Sequence, residues 1–365
     1  MFTGQYIINN IIRDALEDEV FNNASPKINV SLPFNCSFLH DLLYQLYLGE
    51  NGRVEIKSIV RLSKNPYASQ NSNYNLDILS HVLPFAFSPG NGYQPYYYYD
   101  NFDNSEDIAL LMPFYIITSK RLITLSTDFK TAILYNNESI VNVYNENFQR
   151  AVLLSKPFLA QHLSCDDMLT TYLETYKNSG EITHVLEPQP CFAWYYTDEL
   201  IRKKLRFDLE NREMILALLY QLYGSYKKIE HRPISIFSIG GMEQFVSTGV
   251  MADLPRQFAV PFTQEERLIL LKALRNDIAN GEYSVFATNS SNFMIPSSTI
   301  QLHGACALEF FTANNNGTIF SSSIEEKSIA EAFYDFFESL PESDLIYGKE
   351  ETLKIIDDFI DILYM

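Results

Sequence analysis

The amino-acid sequence predicts an α+β fold of two lobes, 1–160 and 161–365, each an antiparallel sheet of short strands flanked by helices, with a helical C-terminus. Three observations carry this expectation. Short β-rich runs at 114–118, 122–125 and 132–135 are separated by the polar turns Ser119-Lys120 and Thr127-Asp128, and connections that short permit only antiparallel hairpins. Apolar residues recur at helical spacing beside them, as in Ile140, Tyr144, Phe148 and Ala151. A chain of 365 residues is also too long for one typical core.

In chain order, the pattern predicts helices over 4–20 and 38–48, then a strand from Val54 to Ile59 behind the turn Glu50-Asn51-Gly52. The Asn-, Ser-, Pro- and Gly-rich stretch 63–107 reads as loop, broken by the tract Tyr96-Tyr97-Tyr98-Tyr99. In the second half a helix lies within 207–227, followed by the strand Ile234-Ser235-Ile236-Phe237. Thr263-x-x-Glu266 is a capping box opening a helix striped by Leu268, Leu271, Leu274 and Ile278, and Gly281 stands where its C-terminal cap belongs. Four strands follow over 283–321, the last two flanking Asn314-Asn315-Asn316-Gly317, a hairpin signal. Ser323-x-x-Glu326 caps a helix with Ile329, Phe333, Phe336, Phe337 and Leu340 inward, stopped by Pro341. A last helix carries Leu353, Ile356, Ile360 and Leu363.

The hexapeptide Leu42-Leu43-Tyr44-Gln45-Leu46-Tyr47 recurs as Leu218-Leu219-Tyr220-Gln221-Leu222-Tyr223, and the strands and helices after each copy follow at similar spacing. Either the lobes are duplicated, or an amphipathic string recurs by chance in a Leu- and Tyr-rich chain.

Charge excludes one class of function. Forty-five acidic against 27 basic residues leave −18, whereas a DNA-binding surface needs clustered Lys and Arg to displace counterions. The one dense basic run, Arg202-Lys203-Lys204 with Arg206, has acids close by. No direct contact with nucleic acid and no membrane association are expected of this chain. The four cysteines are scattered without a CxxC, and no secretory signal stands at the start, so reduced thiols in a cytoplasm are expected.

The search for chemistry returns little. There is no phosphate-binding loop, dinucleotide fingerprint, nucleophile elbow or zinc-protease motif. Ser225-x-x-Lys228 matches a Ser/Lys nucleophile pattern only formally and reads as a solvated helix end. His162 and Cys165, His303 and Cys306, with His184 and Cys191, have zinc-ligating side chains, but the two His-x-x-Cys pairs are far apart in sequence, and buried small cysteines beside unrelated histidines account for them better. Asp100, Asp103, Glu106 and Asp107 lack the spacing of a calcium loop and read as a solvated acidic stretch. No catalytic residue, metal or cofactor is expected. Three aromatic residues stand out as candidates for ligand binding: Tyr96 and Tyr98, which would share one face of a strand, and Trp194, the sole tryptophan. For each, packing is the commoner fate.

The succession Ile234-Ser235-Ile236-Phe237, Met242-Glu243-Gln244-Phe245, Thr248-Gly249, Leu254-Pro255, Pro261, Glu266-Arg267 and Leu270-Leu271 resembles the regulatory part of bacterial helix-turn-helix transcriptional regulators of the XRE-like kind. So does Ser328-Ile329-Ala330-Glu331-Ala332-Phe333-Tyr334, and the strands at 114–118 and 132–135 are similar to the middle of those proteins. The resemblance runs over most of the chain as scattered short strings. It implies an effector-sensing or dimerising region whose DNA-binding domain is absent from this chain, self-association, and a small-molecule or protein effector; it assigns no site residue. The alternatives are an enzyme whose site assembles from His162, His184, Cys191 and His303, or an interaction scaffold using the aromatic stretch 93–99.

Overall fold

The computed structural model describes residues 1–31, 36–50, 52–64, 73–88, 90, 92–100, 112–162, 170, 182–228, 231–252, 254, 256–289, 298–313 and 319–365. The chain divides into two compact units, Met1–Ala160 and Gln161–Met365. No helix among the described residues is long and apolar enough to cross a membrane.

The first unit holds β1 (Phe2–Thr3), α1 (Gln5–Asn22), β2 (Lys27–Ser31), α2 (Ser37–Gly49), β3 (Glu55–Ser63), α3 (Tyr74–Ala86), β4 (Tyr93–Asp100), β5 (Phe114–Ile117), β6 (Leu122–Leu125), β7 (Thr131–Tyr135), α4 (Glu138–Leu154) and β8 (Lys156–Pro157). Its eight strands form one sheet in the order β1-β7-β6-β5-β2-β3-β4-β8. Ile116 and Ile117 point to opposite faces and are 0% and 1% exposed, so both faces are covered. The acidic end of α1 has a structural job. Buried Glu19 accepts the backbone N–H of Lys27 at 3.0 Å and of Ser119 at 3.0 Å, tying the helix to β2 and to the β5–β6 turn.

The second unit contains β9 (Ala160–His162) at the boundary, β10 (His184–Glu187), α5 (Asp198–Lys204), α6 (Arg212–Tyr226), β11 (Ile234–Phe237), α7 (Ile239–Thr248), α8 (Gln264–Asn280), β12 (Val285–Ala287), β13 (Ser298–His303), β14 (Ala307–Ala313), β15 (Ile319–Ile324), α9 (Lys327–Ser339) and α10 (Lys349–Tyr364). Read from β9, its sheet runs β9-β15-β14-β13-β10-β11-β12. Strand for strand, this is the order of the first seven strands of the other sheet. The recurring hexapeptide falls on α2 in one unit and α6 in the other, each in the connection between the first two parallel strands. The lobes are therefore built on one plan, and the repeated string marks it.

Two expectations need correction. The sheets are mixed rather than purely antiparallel: β2-β3-β4 pair in parallel, as do β10-β11-β12, while β5-β6-β7 and β13-β14-β15 form the expected hairpins. Parallel neighbours need long crossovers, and α2, α3, α6 and α8 supply them. The stretch read as loop hides two of these elements. In α3, Ile78, Leu79, Val82 and Phe85 form a buried stripe despite Pro84, and β4 is fully paired to β3.

Local signals otherwise hold. Thr263 and Glu266 form the capping box, and Gly281 closes α8 in the left-handed conformation at φ 76°. The other box shifts: Ser323 remains in β15, and Glu326 itself caps α9 by accepting the Ile329 N–H at 3.0 Å. The Asn316-Gly317 hairpin turn lies outside the described residues, between strands whose antiparallel pairing reaches Ala313 and Ile319. Asp103, Glu106, Asp107 and Cys165 also lie outside them. Cys36, Cys191 and Cys306 form no disulfide among the described residues.

Candidate functional site

A wide concave feature lies in the second unit, at the edge of the sheet where β11 and β12 begin. Four chain segments build it. After Phe192, wholly buried, a single turn of 3₁₀ helix over Ala193–Tyr195 closes with the Tyr195 N–H on Phe192 O at 2.9 Å, and buried Ala193 fixes that turn to the core. Trp194 and Tyr195 are thereby held on a rigid step rather than a loose loop. α6 delivers Tyr226 and Lys227 from its last turn, and His231 and Arg232 lead into β11. At the end of α8, the left-handed Gly281 lets the Glu282 N–H reach Asp277 O at 2.8 Å, which folds Glu282 and Tyr283 back toward Asp277.

The centre is a cation enclosed by rings. The Arg232 guanidinium carbon lies 5.5 Å from the Trp194 ring centre, 5.7 Å from that of Tyr195 and 5.3 Å from that of Tyr283. Its Nη1 donates to Asp277 Oδ2, which also accepts the Tyr195 hydroxyl at 3.0 Å. Burial works against the charge on Arg232, but the hydrogen bond to Asp277 prevails and raises its proton affinity. Burial pushes the Tyr195 hydroxyl well above the usual phenol range, and the Asp277 carboxylate pushes it further. Tyr283 is likewise raised, first by burial and then by the proximity of Cys191 and Glu187. All three phenol and guanidinium groups thus stay in their ordinary protonation states, and the cluster is a fixed electrostatic frame rather than a proton donor or acceptor.

Outside this frame Trp194 stacks on Tyr226, with ring centres 5.3 Å apart and planes 29° apart. Trp194, Tyr226, Lys227, His231, Arg232, Gly281, Glu282 and Ser284 line an open depression of about 530 Å³. That size suits a small molecule. Two basic side chains, an imidazole, a carboxylate and a hydroxyl on this lining can hold a polar ligand.

The sequence-level candidates fall in two places. Trp194 is a wall of this depression. Tyr96 and Tyr98 belong to β4 in the first unit, where they pair with Ile59 and Arg61 of β3. Tyr96 packs into the core beneath α4 with Ile59, Ile117 and Phe148. Tyr98 alone of the four consecutive tyrosines is exposed, since Tyr97 is buried against Phe158 and the other two are half-covered. The tract is strand and core, not a tyrosine patch.

His184 and His303 are not brought together. His184 pairs directly with Leu302 across the strands, so His303, one residue on, points to the opposite face of the sheet. His184 lies 3.4 Å from a Glu338 oxygen on α9, and His303 lies 3.3 Å from Glu309. The His162 side chain lies outside the described residues. Among the described residues no group of three or more His, Cys, Asp or Glu could hold a metal ion. Ser225 bonds back to Leu222 O at 2.6 Å, as a helix-end serine does.

Arg232, Asp277, Tyr283, Tyr226, Lys227 and His231 carry no motif that could have announced them, since they meet only because four segments converge. The aromatic run 192–196 is the one trace of the site in the sequence.

No family model matches the chain, and no curated protein is similar to it. Among solved structures, it is similar to TrmBL2, an archaeal chromatin protein with a novel mode of DNA binding, at 15% identity and a TM-score of 0.25 over 41% of this chain and 50% of that one. Polyphosphate kinase from Porphyromonas gingivalis gives 11% identity and 0.26 over 98% and 54% of the two chains. Yeast tyrosyl-DNA phosphodiesterase gives 11% and 0.25 over 86% of each. The chain spans about half the length of the first two. Similarities this faint carry no argument.

Proposed function

We propose that this chain is a sensing region of a bacterial transcriptional regulator, working in the cytoplasm, in which an effector seated beside Trp194 biases conformation or self-association and other elements contact DNA. The observation that supports the reading is the depression itself: rigidly mounted aromatic and cationic side chains face open space, backed by a preformed Arg232–Asp277 pair that needs no rearrangement to receive a ligand. An effector shifts such a protein only by its difference in affinity between two states. The excess of acid over base makes direct DNA binding by this chain unfavourable, which agrees with a regulatory rather than a DNA-reading role.

The test is a thermal-shift screen of small metabolites on the whole chain, followed by Trp194 fluorescence and light scattering with each hit. A hit that quenches Trp194 and changes molar mass or shape is expected. If every metabolite binds without any such change, the sensing role fails. The enzyme alternative loses its proposed assembly, because His184 and His303 face apart.

A further inference from the structure

His184 of β10 is 1% exposed, with Tyr334 edge-on at 5.4 Å between ring centres and Phe337 at 5.7 Å, both from α9. Glu338, four residues after Tyr334 and on the same side of the helix, brings Oε1 to 3.4 Å from His184 Nε2. The other ring nitrogen decides the tautomer. Thr183 Oγ1 has a single hydrogen and donates it to Leu302 O at 3.4 Å, so toward His184 Nδ1, 3.1 Å away, it can only accept. Nδ1 therefore carries the ring proton, and Nε2 turns a lone pair toward the Glu338 carboxylate.

Two acceptors thus face each other. Nε2 is a buried nitrogen without a hydrogen-bond partner, and among the described residues His184 is the one ion-pair partner of Glu338. A second proton on the ring is disfavoured first by burial, which Glu338 offsets only in part. We propose that His184 Nε2 and Glu338 ligate a divalent transition-metal ion of the zinc class, which fastens α9 to β10.

The spacing suits it. Bonds of about 2.0–2.1 Å at a tetrahedral ion hold two ligands about 3.3–3.4 Å apart, the separation already present. The neutral imidazole is the ligating form, and a hydrogen bond from its other nitrogen is what fixes a metal-binding histidine in place. Glu338 also takes a hydrogen bond from the Tyr334 hydroxyl, which orients the carboxylate. On α9, Lys327 is taken up by Glu331, while Asp335 and Glu338 add negative charge in a chain of −18, a field that draws cations. Imidazole with carboxylate selects zinc, nickel or cobalt over magnesium, which favours all-oxygen shells. Among the described residues no third His, Cys, Asp or Glu joins them, so water completes the shell and the ion exchanges.

The test is calorimetric titration of the full chain with zinc chloride, with magnesium chloride as control. One zinc ion per chain binding below about 100 µM is expected, with magnesium about tenfold weaker or more. Zinc should also raise the melting temperature, because the site exists only in the folded chain. Cobalt(II) in its place should give visible bands without a near-ultraviolet thiolate band, which separates this site from any at Cys191 or Cys306. Glu338→Gln, at a half-exposed position, keeps the fold and should weaken zinc about tenfold or more. Glu331→Gln, on the same helix but paired with Lys327, should leave zinc affinity unchanged. His184→Gln should match Glu338→Gln, which carries the test alone if the buried change prevents folding.

The site is wrong if no zinc binds below about 100 µM, or if magnesium binds as well as zinc. It is equally wrong if Glu338→Gln binds zinc like the parent, or if Glu331→Gln weakens it as much. None of these residues lines the Trp194 depression, so the result leaves the sensing role where it stands.

Discussion

Arg232 and Asp277, 45 positions apart, join inside a ring of three aromatic side chains. The carboxylate serves two donors at once, the guanidinium and the Tyr195 hydroxyl. Asp277→Asn keeps the shape but removes the charge that holds both. It should lower stability by about 2 kcal/mol, measured by urea unfolding followed through Trp194, because a half-buried guanidinium is left without its counter-ion. In a double-mutant cycle with Arg232→Gln the two effects should be clearly non-additive.

Glu266 offers a prediction in acid. Burial disfavours its ionisation, but hydrogen bonds from Lys203 and Lys204 and from the Thr263 amide outweigh that and hold its pKa at about 2. Lys204, almost fully buried, depends on the same carboxylate and on Pro261 O at 2.9 Å. A carboxyl more acidic folded than unfolded stabilises the protein above the ordinary carboxylate range, and that stability disappears as pH falls toward the folded value. Glu266→Gln should cost about 1 kcal/mol at neutral pH, allowing for solvent at the rim of the pair, and the difference from the parent should vanish between about pH 5 and pH 2.

Gly241 and Gly240 are adjacent in α7 and should behave oppositely. A Cβ on Gly241 would sit 2.1 Å from Pro188 O, whereas one on Gly240 meets nothing within 4 Å. Gly241→Ala should destabilise by about 2–3 kcal/mol, because backbone must move, and Gly240→Ala should stay within about 1 kcal/mol of the parent. Thermal melts of the two variants decide it.

His184 gives a second pH test, of the opposite residue type. Burial lowers its proton affinity, and the nearby Glu338 only partly restores it; Tyr334, Phe337 and Thr183 complete its surroundings. A histidine that resists protonation when folded contributes fully above about pH 6.5 and is penalised as pH falls through and below that value. Denaturation of His184→Gln across pH 5–8 should show a shallower acid slope than the parent.

What the sequence disclosed follows from how local each cause is. The Thr263–Glu266 box, the Gly281 cap and the three hairpin strands at 114–135 are set by neighbours a few residues away, and they are where the spacing puts them. α3 escaped because Pro84 and the surrounding Asn and Ser outvoted a stripe of four apolar residues. The parallel strand β4 escaped because four consecutive tyrosines show no polar–apolar alternation, although their burial does alternate around Tyr97 and Tyr98. Glu326 replaced Ser323 as the cap because β15 continues through Ser323 to Ile324, a tertiary demand on strand length. The site was the least legible part. Trp194 could be singled out by its rarity, but Arg232 and Asp277 become partners only after the chain has run through β11 and α7 and returned along α8.

The shared strand order gives the molecule its own comparison sample. Arg53 stands two residues ahead of β3 as Arg232 stands two residues ahead of β11, yet it pairs with Glu50 at 2.7 Å, and among the described residues no ring surrounds it. One blueprint thus carries a ring-enclosed arginine in the second half and, among the described residues, an unenclosed one at the matching place in the first. The enclosure around Arg232 is therefore not demanded by the architecture, since Arg53 does without it on the same strand plan.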